Sequence, residues 1–239
     1  MAIVKNPEFD GFSGKLGNVI FRRRYGKTVA YRVTENFKKS ESEESEVNRG
    51  KMKIMSQFAS NICSLPELKE IWGLDEEIKA TSIYHKIEKI NRKVKSTIYP
   101  SVNYIIVPRG FLCDSDSVVL NKDEMEIIVT LNNLSLTNVE KADNFLVISI
   151  ICFYDPVNKE AEKFSFYNIY KQITNWKPWM PIEAKYRFSE EEGKIFSEYR
   201  KSILYYTVIA CDAEGYYISN STSKGLEFEN SKGDLAGSE

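Results

Sequence analysis

The chain's stock of residues for nucleophilic or metal chemistry is small: one histidine, His85, and four scattered cysteines, Cys63, Cys113, Cys152 and Cys211. A lone imidazole excludes multi-histidine metal centres and HExxH zinc sites. With no CxxC pair, the cysteines exclude zinc ribbons and thioredoxin-like redox chemistry, and they read as reduced, buried thiols. A Cys152–Cys211 bridge between strands is the alternative. His85 adjoins an apolar helical stripe, which implies a packing or surface role. The paired carboxylates Glu190-Glu191-Glu192, Asp75-Glu76-Glu77 and Asp114 with Asp116 all sit in charge runs or turns. General acid–base work needs carboxylates set in a cleft with separated pKa values. Asp114, Asp116 and Asp123 also miss the EF-hand positions for glycine and the terminal glutamate. The stretch GKLGN from Gly14 lacks the GxxxxGK[ST] spacing and precedes a strand instead of a helix. The expectation is a non-enzyme with no cofactor and no bound metal.

What remains is cations and aromatic rings. In GFSGKLGNVIFRRRYGKTVAYR, residues 11–32, Arg22, Arg23, Arg24, Lys27 and Arg32 cluster beside Tyr25 and Tyr31. Clustered cations with aromatic support are what phosphate backbones require, and Lys86, Lys89, Arg92, Lys93 and Lys95 could add to them. An arginine-rich ribbon is also an ordinary solvated edge, or a salt-bridge partner for the acids between Glu41 and Glu46. The second aromatic candidate is Trp176-Lys-Pro-Trp179-Met-Pro. Two large amphipathic rings outside a strand read either as a contact anchor or as a loop folded back on the core.

These candidates need elements to hold them. Period-two alternation on both sides of Tyr25-Gly26-Lys27 predicts a hairpin with one apolar and one basic face. Ser40 or Ser42 followed by glutamates predicts a helix N-terminus, and Val47, Ile54, Met55, Phe58 and Ile62 continue it at helical spacing. Ser64 with Pro66 and Glu67 predicts a second helix ending at Gly73. A third is expected over residues 76–95, striped by Ile83, Ile87, Ile90 and Val94 with a basic outer face. From Asn103 the texture changes to strands at roughly ten-residue spacing: YIIV, VVL, MEIIVTL, NFLVISIICFY, KFSFYNIY, IEAKYRF, ILYYTVIAC, YYIS and GLEF. Residues 189–197 interrupt them as a short helix or excursion.

Bulk properties are neutral. With 239 residues, 42% hydrophobic, and a net charge of -1, the chain can bury a core and is not built as a whole for polyanions or membranes. The first hundred residues carry about +6 and the rest about -7, an asymmetry able to orient parts in an assembly. No apolar run reaches membrane-spanning length and no secretory signal is seen, so a cytoplasmic protein is expected.

FSGKLGNVIFRRRYGKTVAYR, the helix ending QFASNI, SLPELKEIW, and IYHKIEKINRK leading into NYIIVPRGF together resemble a family of small proteins of unassigned activity common in Bacteroidetes and related bacteria. That family's N-termini read SGKxGNxVF, then GK and VR, then a helix ending near FAS. The resemblance covers about the first 110 residues and implies no catalytic residue. The chain departs from it in the linker, where KKSESEESE replaces a proline- and glutamine-rich stretch. The strand-rich, tyrosine-rich makeup is similar in texture to bacteriophage or prophage structural components.

The expected architecture is α+β: a hairpin and helical segment over residues 1–100, then an antiparallel sandwich over residues 101–239 resembling immunoglobulin or fibronectin type III domains. The expected function is that of a structural or protein-interaction protein. It oligomerises like a virion or tail component, with a protein partner or a second copy as its contact. A nucleic-acid-binding accessory protein is the alternative.

Overall fold

Alternating residues on either side of Gly26 form the expected hairpin in the computed structural model, which describes residues 2–3, 12–24, 26–33, 41–94, 99–121, 124–134, 142–174 and 181–230. Two compact units result, Met1–Glu46 and Val47–Glu239. In the first, β1 (Ala2–Ile3), β2 (Gly14–Leu16), β3 (Val19–Arg24) and β4 (Lys27–Arg32) pair antiparallel in the order β1-β4-β3-β2. Gly17, at φ +56°, opens the two-residue turn between β2 and β3, the position that glycine favours in a hairpin turn of type II′.

The second unit is layered. Helix α1 (Glu43–Ser64) starts at Ser42, whose Oγ accepts the Ser45 N–H at 3.3 Å, and it buries Ile54, Phe58 and Ile62. Helices α2 (Pro66–Leu74) and α3 (Ile83–Asn91) follow. Ser64 does not cap α2 as expected. Its Oγ donates to Asn61 O at 2.7 Å and closes α1, leaving Leu65 at the N-cap with no side-chain bond. Helix α3 is shorter than expected because two polar side chains claim the preceding backbone. Asp75 Oδ1 accepts the N–H groups of Glu77 and Ile78 in a turn, and Ser82 Oγ then caps the helix through the His85 N–H.

The strands divide into two antiparallel sheets. One is three-stranded, from β5 (Cys113–Asn121), β6 (Glu126–Leu134) and β9 (Ile182–Arg187), in the order β5-β6-β9. The other is five-stranded, built on β7 (Asn144–Pro156) and its long partner β10 (Tyr199–Cys211). Strand β8 (Phe164–Thr174) pairs with β7, while β11 (Tyr217–Asn220) and β12 (Lys224–Glu229) both pair with β10. Between β9 and β10, α4 (Glu190–Glu198) realises the short helix expected near Ser189.

Strands β7 and β10 read as nearly unbroken apolar runs because both their faces are buried. Phe145, Val147, Ile151 and Phe153, with Leu204, Tyr206 and Val208, share a core with Ile127, Val129 and Leu131 of β6. The opposite parity, Ile148, Ile150 and Cys152 with Ile203, Tyr205 and Ile209, shares a second core with α1, α2 and α3. Each such fully buried side chain is worth about 1.5–3 kcal/mol. A helical layer thus covers the face that a free-standing sandwich leaves to water. The change of texture near residue 100 is therefore not a change of packing unit, since the helices share a core with the strands that follow.

YIIV, expected as a strand, is an irregular buried strap over residues 104–107. Side chains take the place of a ladder there. Asn91 accepts the Ile105 N–H at 2.7 Å and donates to the Ile105 carbonyl at 3.0 Å. Trp72 Nε1 donates to Ile106 O at 2.8 Å, and Ser223 Oγ accepts the Ile106 N–H at 2.9 Å. A buried loop is tolerated because its polar groups are met in this way.

Candidate interaction site

In the N-terminal sheet, register decides what the arginines can do. Arg22 pairs with Val29, Arg23 with Thr28 and Arg24 with Lys27, while Arg32 pairs with Val19. Strand parity therefore puts Arg22 on the side of Lys15, Ile20 and Tyr31, and Arg23 with Arg32 on the side of Val19 and Phe21. The expectation of one basic and one apolar face fails for this reason, since consecutive residues of a strand alternate. Arg22, Arg23, Lys27 and Arg32 are all exposed, and the Arg22 guanidinium lies 5.7 Å from the centre of the Tyr31 ring. Beside them two large apolar side chains stay in water, Phe12 at 40% exposure and Leu16 at 58%. Phe12 meets Phe21 edge-on at 5.2 Å, whereas Leu16 lies on β2, the outermost strand of the sheet.

The basic third helix, expected as a second polyanion surface, splits into two halves. Lys86 Nζ donates to Trp72 O at 3.1 Å and also to Asp75 O, and Lys89 Nζ donates to Lys79 O at 3.0 Å. These two lysines fasten the end of α2 and the turn after it, where carbonyls left over at a helix C-terminus attract a cation. Arg92 makes a 3.5 Å pair with Glu88 one turn back, and Lys93 is exposed. Lys95 lies outside the described residues.

A groove of about 430 Å³ opens between the end of α2, the strap and β11, with Leu74, Asp75, Arg109, Phe111, Tyr217 and Asn220 among its walls. Arg109 is committed within it. Its two terminal nitrogens bind both Glu77 carboxylate oxygens and its Nε lies 3.5 Å from Asp75 Oδ2, which holds the Glu77 carboxyl below its usual range and the guanidinium above its own. Gly110 lets this wall form, because a Cβ there would stand 2.3 Å from the backbone of Ser221. Asn220 then ties the strap to β11, donating through Nδ2 to Arg109 O and accepting the Tyr217 hydroxyl at 2.6 Å. Arg109 carried no signal in the sequence, since its carboxylate partners lie more than thirty residues away.

Trp176 and Trp179 lie outside the described residues. His85 is exposed on α3, its Nδ1 2.7 Å from Ser82 Oγ. Cys63, Cys152 and Cys211 are free thiols. Cys152 faces Ile203 across the sheet while Cys211 faces Asn144, eight residues along β7, so the alternative bridge is ruled out by roughly 27 Å of strand. Burial pushes the Cys152 thiol far above its ordinary pKa, which makes it a packing group and not a nucleophile. Among the described residues, no three His, Cys, Asp or Glu side chains gather as a metal site, and no helix is long and apolar enough to cross a membrane. No protein-family model and no curated protein matches the chain.

Proposed function

We propose that this chain is a non-enzymatic structural or protein-interaction protein that assembles through the open edge of its N-terminal sheet. The carrying observation is β2. Among the described residues it pairs only with β3, all three of its residues are exposed, and it presents Leu16 to solvent. An unpaired strand edge carrying an apolar side chain is a template for strand addition by another chain. The closing pair of a two-residue hairpin is hydrogen-bonded, so Leu16 bonds Val19 and the neighbouring Lys15 N–H points outward. Lys15→Pro therefore removes an outward donor while sparing the β2–β3 ladder. The reading expects that variant to lose oligomers which the wild type forms. Oligomers unchanged by Lys15→Pro would count against β2 as the contact.

The finer parts of the reading follow from texture. The two sheets with a shared core support a sandwich related to immunoglobulin or fibronectin type III domains, with helices added on one side. A phage-like virion or tail component, of the Bacteroidetes family that the N-terminal motifs resemble, fits a strand-rich assembling protein.

A second reading has its own support. Residues 11–33 hold six cations and no acid, and the Arg22–Tyr31 stack resembles the aromatic support that single strands use. It makes the chain a nucleic-acid-binding accessory protein. Binding that weakens steeply with salt and disappears on charge reversal of Arg22, Arg23 and Arg24 is its expected signature. Binding indifferent to those changes removes it.

A further inference from the structure

Helices α1 and α3 meet at a second groove, of about 310 Å³, whose walls include Lys51, Met52 and Met55 from α1, Arg92 and Lys93 from the end of α3, and Tyr104 from the strap. Its volume falls at the small end of the range for ligand pockets. The composition is one-sided. Three cations come from α1 and from the residues just after α3, and no carboxylate lines the groove among the described residues. Glu88 pairs with Arg92 at 3.5 Å, but Lys51 and Lys93 make no ion pair among the described residues. Their neighbours on α3 behave differently, since Lys86 and Lys89 are each spent on backbone carbonyls. Like charges gathered round one concavity repel each other unless an anion joins them. The Glu88 carboxylate beside Arg92 and about half a negative charge at the end of α3 offset only part of the three positive ones. Beneath the cations the accessible surface is apolar: Met52 is open at 43% exposure and Val94 is half-buried, over a floor in which Met55 and Tyr104 are buried.

We propose that this groove binds a phosphate ester carrying a flat or apolar body. Lys51, Arg92 and Lys93 hold the phosphate, with Arg92 offering the planar fork suited to two of its oxygens. Met52 and Val94, the accessible apolar side chains of the lining, receive the body, methionine being adaptable enough to pack on varied shapes. A free nucleotide and a nucleotide within a single strand present the same chemistry, and the choice of probes separates them.

The test is calorimetric titration of the full chain with inorganic phosphate, adenosine 5′-monophosphate and a short single-stranded DNA. It is run on the wild type, Lys51→Glu, Lys93→Glu and the charge-matched control Lys159→Glu, which lies in an exposed turn. The nucleotide is expected to bind more tightly than phosphate. Reversal at Lys51 or Lys93 should weaken it by about tenfold or more, and the control by less than about twofold. DNA that competes with the nucleotide for the groove assigns the source to a strand, and DNA that does not compete assigns it to the free nucleotide. Amide shifts in the wild type, expected near residues 51–55, 92–94 and 104, keep the test valid if a variant fails to fold. Absent saturation with every probe, equal affinity for phosphate and nucleotide, or indifference to both reversals overturns the proposal.

Discussion

Asn91 shows what a single residue does here that its type alone does not announce. An asparagine in the last turn of an apolar-striped helix reads as a surface residue, yet it is fully buried and holds both backbone groups of Ile105. Asn91→Ala removes the bonds to the N–H and the carbonyl of half-buried Ile105, each worth about 0.5–1.5 kcal/mol. Denaturant unfolding should therefore show a loss of about 1–3 kcal/mol, while Lys93→Gln, at an exposed position with no ion pair among the described residues, should cost less than about 0.5 kcal/mol. Equal effects would mean that the strap does not depend on Asn91. The same limit applied to Lys51 and Arg109. Residue types were legible in the chain, but their partners were not, because those partners come from distant segments. The arginines of β3 were legible in number and misread in direction, an error that strand parity alone could have prevented.

Elements were more legible than contacts. The long runs of β7 and β10 announced themselves, and so did the helical stripe of α1, since periodicity follows directly from burial on two faces or one. The lapses came where a polar side chain redirected the backbone: Asp75 and Ser82 shortened α3, Ser64 closed α1, and side chains replaced a ladder around YIIV. Helix α4 carries the clearest local signal, a capping box in which Ser189 and Glu192 bond each other's backbone. Those bonds, led by the one from the Ser189 N–H, hold the Glu192 carboxyl below its ordinary pKa. A depressed carboxylate adds stability that is present above its unfolded value, near 4.5, and is lost as pH falls through the folded value. Tyr186 acts in the opposite direction. Burial first, then its bond to Glu192, pushes its hydroxyl up to about 12, so that contribution is present below the unfolded value near 10 and is lost as pH rises through the folded one. Urea unfolding of Glu192→Gln should accordingly show a weaker fall in stability below about pH 4.5 than the wild type. Identical acid limbs for the two proteins would contradict the capping role.

At the scale of the whole molecule, a four-stranded N-terminal sheet stands as one unit and a layered helix–sheet–sheet body as another. The α+β composition was readable from the switch of periodicity near residue 100. That the helices back the large sheet was not readable, because which face of a doubly buried strand meets which layer depends on contacts over long separations. The charge asymmetry between halves, the β2 edge that meets no partner among the described residues and the exposed Phe12 and Leu16 are what support the proposed assembly. The most direct test is the mass of the purified chain by light scattering after size exclusion, at low and high salt, with and without single-stranded and duplex DNA. A discrete oligomer that resists salt and ignores DNA is the expected result, since apolar and main-chain contacts are not screened. A monomer at every concentration would contradict the account, and one that shifts only with DNA at low salt would replace it with the phosphate-grip reading of the arginine strand.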